Sequence, residues 1–207
     1  KSRRLGYSLG VNLLPVDSKI CSFNCVYCEC GWNPKSTEGK KFGSRTLIYE
    51  ALSERLEAVM LNHELLDVIT FAGNGEPTLH PDFLAIVEDV ATLRDRFVPG
   101  VKIALLTNST MIWNDKVKQA LKLIDLPILK LDSAIPETLL AINNPGENFD
   151  TAAYYDNLKK MPAGMIIQTM FLRGSVRGLP VDNTTEAELS AWLDMLEVLK
   201  PREVQIY

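Results

Sequence analysis

Cysteine is missing from most of this 207-residue sequence, and all four copies lie at positions 21, 25, 28 and 30. A disulfide framework spreads its cysteines to staple distant segments, so that class of protein is excluded. Tight clustering indicates instead a metal or redox site in a reducing compartment, which makes the cytoplasm the expected location. Histidine is also scarce. His63 reads as solvated at a polar helix end and His80 as structural beside Pro81, which leaves little for a histidine-based acid/base mechanism. No apolar run reaches the ~18 residues of a membrane span. Nor is there an excess of positive charge: Lys and Arg number 22 against 26 Asp and Glu, for a net charge of −4. A protein that coats nucleic acid is usually basic, and the short start Lys1-Ser2-Arg3-Arg4 does not change the balance; an RNA substrate stays open but gains no support. The sequence opens with neither a signal-peptide pattern nor Met, and it stops at Tyr207 straight after a strand-like run. The expectation is one core domain over 1–207, belonging to a longer chain.

What is present is an alternation of strand and helix signals. Residues 9–14 read as a first strand ended by Pro15. A loop from 16 to about 43 follows, too long to be idle in a compact domain. A helix near 46–61 puts Ile48, Leu52, Leu56 and Val59 on one face. Residues 68–72 form a second strand. Pro81 is expected to open the next helix, with Phe83, Ile86, Val87, Val90 and Leu93 inward. Strand three is 102–106; Asp115 is the expected cap of a helix with Val117, Leu121 and Ile124 inward. Strand four is 128–132, and short helices near 136–142 and 151–160 come next. Strand five is 165–172. Thr185 and Glu188 have capping-box spacing before a helix face of Leu189, Trp192, Leu193 and Leu196, and strand six starts at 204. With no hairpin signal between strands, the pattern predicts an α/β fold with a parallel sheet. Six strands fit a partial (β/α)6 TIM-like barrel, although a doubly wound sheet has the same element order. Either way ligands gather at the C-terminal strand ends.

The cysteine stretch runs Cys21-Ser22-Phe23-Asn24-Cys25-Val26-Tyr27-Cys28-Glu29-Cys30. Three thiolates at spacings of four and three can wrap one corner of an iron–sulfur cubane. Three ligands leave one iron open for a substrate or cofactor. The competing reading is a structural zinc site that also uses Cys30, but zinc ribbons pair two separated CxxC knuckles and only one group of cysteines occurs here. Cys30 reads as a spare thiol.

The pattern CxxxCxxC, with an aromatic residue just before the third cysteine, resembles the signature of the radical S-adenosylmethionine (SAM) superfamily. The resemblance implies an enzyme in which Cys21, Cys25 and Cys28 bind a [4Fe–4S] cluster and SAM chelates the fourth iron. An electron from the reduced cluster then cleaves SAM to a 5′-deoxyadenosyl radical that abstracts hydrogen from substrate. It also implies that Tyr27 lies near the adenine, and that Asn74-Gly75-Glu76 stands in for the family's GGE motif, which binds the SAM ammonium. Asn108, at the end of strand three, serves equally well as a cap or as a ligand. Asp132 and Ser133, after strand four, resemble contacts to the ribose or carboxylate. Gln168, a polar residue in an apolar strand, must be hydrogen-bonded and is expected on the cofactor side; Gln205 and Tyr207 are placed beside the adenine by the same resemblance. Lys130 shares a strand face with Asp132. It is the candidate catalytic residue, either a Schiff-base lysine or, more simply, the partner of a carboxylate. Arg173 and Arg177 are candidates to meet an anionic substrate.

Further motifs extend the resemblance. Ser2-Arg3-Arg4-Leu5-Gly6, Ser8-Leu9-Gly10, Leu13-Leu14-Pro15, Cys28-Glu29-Cys30-Gly31, Gly75-Glu76-Pro77-Thr78-Leu79, Lys130-Leu131-Asp132 and Val204-Gln205-Ile206-Tyr207 together are similar to the wyosine-synthase-like group. The enzyme that names this group condenses pyruvate with a tRNA guanosine, using a lysine and a second cluster, for which this chain has no cysteines. The expectation is therefore a radical SAM oxidoreductase of unassigned substrate (small molecule, peptide or tRNA), with wyosine-type tRNA modification, a glycyl-radical activase and a non-catalytic metal module as alternatives. An electron donor such as flavodoxin or ferredoxin is the implied partner, and no membrane is involved.

Overall fold

The computed structural model describes residues 5–34, 41–176 and 178–207. The basic start, Gly39 and Arg177 lie outside them. Six strands form one parallel sheet: β1 (Ser8–Val11), β2 (Val68–Phe71), β3 (Lys102–Thr107), β4 (Leu126–Lys130), β5 (Ile166–Thr169) and β8 (Glu203–Ile206). Helices α1 (Arg45–Leu61), α2 (Phe83–Phe97), α3 (Asp115–Leu121), α4 (Pro136–Asn143), α5 (Thr151–Lys159) and α6 (Glu186–Leu199) connect them. The strand order follows the sequence without reversal. Right-handed crossovers that always step the same way put every helix on one side of the sheet. The sheet then curls as an arc of a barrel. A doubly wound sheet would reverse its order at a switch point, so the partial barrel is the correct choice of the two.

The helix-facing positions carry the core. Ile69, Phe71, Ile103 and Leu105 pack beneath Leu52, Leu56, Ile86, Val90 and Leu93. Leu129, Leu131 and Ile167 pack with Leu139, Tyr154, Leu158 and Trp192. Burying each such side chain contributes roughly 1.5–3 kcal/mol. Strand alternation sends the intervening residues to the concave face. Lys130, Gln168 and Gln205 are in register across β4, β5 and β8, and Asn108 follows the Thr107–Leu129 pair by one step.

Several expectations are corrected. A two-stranded antiparallel hairpin, β6 (Arg173–Val176) with β7 (Leu179–Asp182), interrupts the β/α alternation. Its strands are short and mostly exposed, so they lack the apolar alternation that marks a strand, and Gly178 at φ +81 supplies the turn. Pro81 does not open α2: a 3₁₀ turn at Pro77–Leu79 intervenes, and the helix starts at Phe83 behind Asp82. Asn114 rather than Asp115 caps α3, its Oδ1 accepting from the Lys116 and Val117 amides. Leu193 is exposed, because the buried stripe of α6 runs through Glu188 and Trp192. A polar contact sets that face: Ser133 Oγ donates to Glu188 Oε2 at 2.7 Å. Strand one stops at Val11, and strand four ends at Lys130, leaving Asp132 just beyond.

Candidate active site

The cysteine loop is stitched to the C-terminal strand ends at several points. Ile20 pairs with Gly75, through Ile20 N to Asn74 O at 3.0 Å and Glu76 N to Ile20 O at 2.9 Å. Gly75 has φ +139, and a Cβ there would stand 1.9 Å from Ile20 O, so only glycine permits this approach. Asn74 itself donates from Nδ2 to the carbonyls of Pro15 and Val16. On the far side, the Asn24 amide donates to Asn143 O and the Val26 amide to Ile142 O, both at 2.9 Å. The loop thereby docks on the C-terminal end of α4. Phe23 is fully buried and meets Phe149 edge-on, with ring centroids 5.4 Å apart. Asn33 closes the loop by accepting from Cys21 N at 3.0 Å and donating to Cys21 O at 2.7 Å.

Two sulfurs accept side-chain amides. Asn108 Nδ2 lies 3.4 Å from Cys21 Sγ, and Asn143 Nδ2 lies 3.3 Å from Cys25 Sγ. Burial pushes the Cys21 thiol up to about 12. Burial also raises the Cys25 thiol, while Lys130 and the Asn143 hydrogen bond pull it back. Cys30 is exposed, with its sulfur 3.8 Å from Gly73 O.

Glu76 is almost wholly buried, and its carboxylate accepts from Thr78 N, Thr78 Oγ1, Thr107 Oγ1 and Asn108 N. Its side chain therefore ties the end of β2 to the end of β3. Asp132 is equally buried and gathers Tyr27 OH, Asn143 Nδ2 at 2.6 Å, Met170 N at 2.9 Å and Lys130 Nζ at 3.6 Å. Lys130 thus has the carboxylate partner of the simpler expectation. Burial and then the Asp132 charge drive the Tyr27 phenol far up. Ser133 turns to Ile135 and Glu188 on the α6 side, away from the cysteine loop. Gln168 Nε2 donates to Tyr207 OH at 3.2 Å, and Gln205 to Glu203. His80 is buried between Gly43 O and the Asp82 amide; Arg173 pairs with Asp182 at 3.3 Å.

The structure therefore brings Tyr27, Asn108, Lys130 and Asp132 against the cysteine loop, and leaves Ser133 outside that group. Asn33 and Asn143 were missed because a lone asparagine in a loop or at a helix end reads as a turn or cap. A cavity of about 540 Å³ lies elsewhere, at the N-terminal strand ends beside Pro127, Met165 and Arg202.

The donor set fits an iron–sulfur cluster. Three soft thiolates lie on one anchored loop, and two of them already receive the N–H donors that such sulfurs accept. Comparison with known proteins agrees. The chain belongs to the radical SAM superfamily, whose profile matches residues 16–174. The superfamily's cofactors are a [4Fe–4S] cluster and SAM. More particularly, the chain is similar to a UPF0026 protein of Methanocaldococcus jannaschii, 34% identical over 98% of this chain and 59% of that one. A UPF0026 protein of Synechocystis is 31% identical over 99% and 71%. A Brachyspira hyodysenteriae protein named GTPase Obg is 30% identical over 99% of this chain but only 28% of its own length. The chain thus spans between about a quarter and three quarters of these relatives. Among solved structures, TYW1 with a lysine-pyruvate adduct bound shares the fold at TM-score 0.63, with 14% identity over 92% of this chain and 62% of that one. An anSMEcpe structure with AdoMet bound does so at 0.62, with 20% identity over 96% and 50%. Among the described residues no helix is long and apolar enough to cross a membrane.

Proposed function

We propose that Cys21, Cys25 and Cys28 hold the cluster and leave its fourth iron to SAM, in a single core domain acting on a substrate of unassigned class. The observation that carries this reading is the stitching of the CxxxCxxC loop to the C-terminal ends of β2 and β3 and to α4. The bound cofactors supply reductive cleavage of SAM and a hydrogen-abstracting radical. The chain's own residues provide the frame. Tyr27 is held by Lys130 and Asp132, while Gly75 and Asn74 keep the backbone of the β2 end against the loop. Asn108, Lys130 and Gln168 line the concave face on which SAM and substrate are held. Glu76 acts through the turn it fastens, since its carboxylate is fully engaged. Lys130 acts as a paired cation beside Tyr27; its hydrogen bond and ion pair favour this over a Schiff base. A flavodoxin- or ferredoxin-type donor supplies the electron in a reducing compartment, consistent with free cysteines.

Anaerobic reconstitution tests the assignment. Wild type and Cys30→Ala should bind about four irons per chain and, with dithionite, release 5′-deoxyadenosine from SAM. Cys21→Ala, Cys25→Ala and Cys28→Ala should each lose both. A structural zinc site would need Cys30 as a fourth ligand beside Cys21, Cys25 and Cys28. Tight zinc binding that fails in Cys30→Ala would reverse the conclusion.

A further inference from the structure

Asn143 is nearly fully buried, yet no donor among the described residues reaches its Oδ1. An orphaned buried acceptor is destabilising, so the other end of the amide must be where it is needed. That end donates to two acceptors, Asp132 Oδ2 at 2.6 Å and Cys25 Sγ at 3.3 Å. Flipping the amide would set its carbonyl oxygen against a carboxylate and a thiolate, so the orientation is fixed by charge. Asn108 repeats the arrangement on another thiolate. Its Oδ1 accepts from the Thr110 backbone amide at 3.0 Å, which can only donate, and this turns Nδ2 toward Cys21 Sγ at 3.4 Å. The two amides come from different elements, the end of β3 and the end of α4. The loop's own backbone adds one donor, Phe23 N to Cys21 Sγ at 3.5 Å.

We propose that Asn108 and Asn143 are positioning residues that set the reduction potential of the cluster through N–H···S bonds to two of its three thiolates. The inference rests on the three-cysteine assignment above. Hydrogen bonds to cluster sulfurs are among the factors that fix the potential. The reduced cluster carries one more negative charge, so a donor aimed at sulfur stabilises it more than the oxidised form. Removing the donor lowers the potential and makes the electron harder to deliver.

The test uses the whole chain, reconstituted anaerobically, as wild type, Asn143→Leu and Asn108→Leu. Leucine has similar volume and no donor. Iron and sulfide content is measured first, then the midpoint by EPR-monitored redox titration, then the Fe–S stretching modes of the oxidised cluster in H2O and D2O. Each variant is expected to hold its cluster. At a fixed poise near the wild-type midpoint its reduced-to-oxidised ratio should fall roughly tenfold, about 59 mV for one electron. Each should also lose part of the wild-type deuterium shift. Unchanged potentials and deuterium shifts in clusters that assemble overturn the proposal. So does loss of the cluster from both variants, which would make the amides purely structural. Failure of the wild type to bind iron and sulfide would instead bring down the three-cysteine assignment, and this inference with it.

Discussion

Lys130 Nζ donates to the Tyr27 hydroxyl at 2.6 Å, joining β4 to the cysteine loop across 103 positions of sequence. The same ammonium lies 5.0 Å from the Tyr27 ring centroid and 3.6 Å from Asp132 Oδ2, to which the phenol also donates. Asp132 is the hub, because it has four donors and no exposed side chain. Asp132→Ala should therefore cost about 3–5 kcal/mol, the usual result of removing one side of a buried charged pair. Lys130→Met leaves the carboxylate three other donors and should cost about 1–3 kcal/mol. Urea unfolding of the apoprotein measures both. Equal losses would contradict a hub at Asp132.

Gly75→Ala puts a methyl group into the backbone of Ile20, one residue before Cys21, at a φ that alanine avoids. The neighbour is a carbonyl in a bridge and cannot swing aside as a side-chain tip would. The expected loss is about 2–3 kcal/mol. Bound iron should fall further than the unfolding midpoint suggests, because the displaced segment carries a cysteine. Gly10→Ala is the control, since nothing lies within 4 Å of a Cβ added there. Iron content and circular dichroism together separate the two effects.

Asn33→Ala removes three bonds that hold the first half of the loop, to Cys21 N, Cys21 O and Phe23 O. Phe23 stays anchored in its aromatic cluster, so global stability should change by only about 1 kcal/mol. The iron retained under a chelator challenge should drop several-fold. Equal chelation rates in variant and wild type would show that the loop does not depend on Asn33.

These sites differ in how readily the sequence reveals them. The six parallel strands were legible because they are short, mainly apolar runs between helices of period 3.6, as in Val68 to Phe71 or Ile103 to Leu106. The cysteine loop was legible because three soft ligands at fixed spacing have few other uses. The β6–β7 hairpin was not, since its strands bury almost nothing. Leu193 was misplaced because hydrophobicity cannot foresee that Glu188 turns inward to meet Ser133. Asn143 was invisible for a similar reason. Its partners, Cys25 and Asp132, lie 118 and 11 positions away, and only the fold brings them together. Strand alternation put Lys130 and Asp132 on one face, and in the fold they stand 3.6 Å apart, although β4 itself ends at Lys130.

Glu76 offers a test by pH. Burial pushes its carboxyl above the ordinary 4.5, against the pull of Thr78, Asn108 and Thr107. A carboxyl whose pKa is higher folded than unfolded binds its proton more tightly in the native state. Its contribution to stability is then full below the unfolded value and is lost as pH rises through the folded one. Glutamine at this position does not titrate. The unfolding free energy of wild type minus that of Glu76→Gln should therefore decline as pH rises from about 4.5, and level off once the folded carboxyl has ionised. Guanidinium titrations of apoprotein at half-unit pH steps measure this difference. A difference that grows with pH would mean the hydrogen bonds outweigh burial, and that Glu76 is held as a carboxylate throughout.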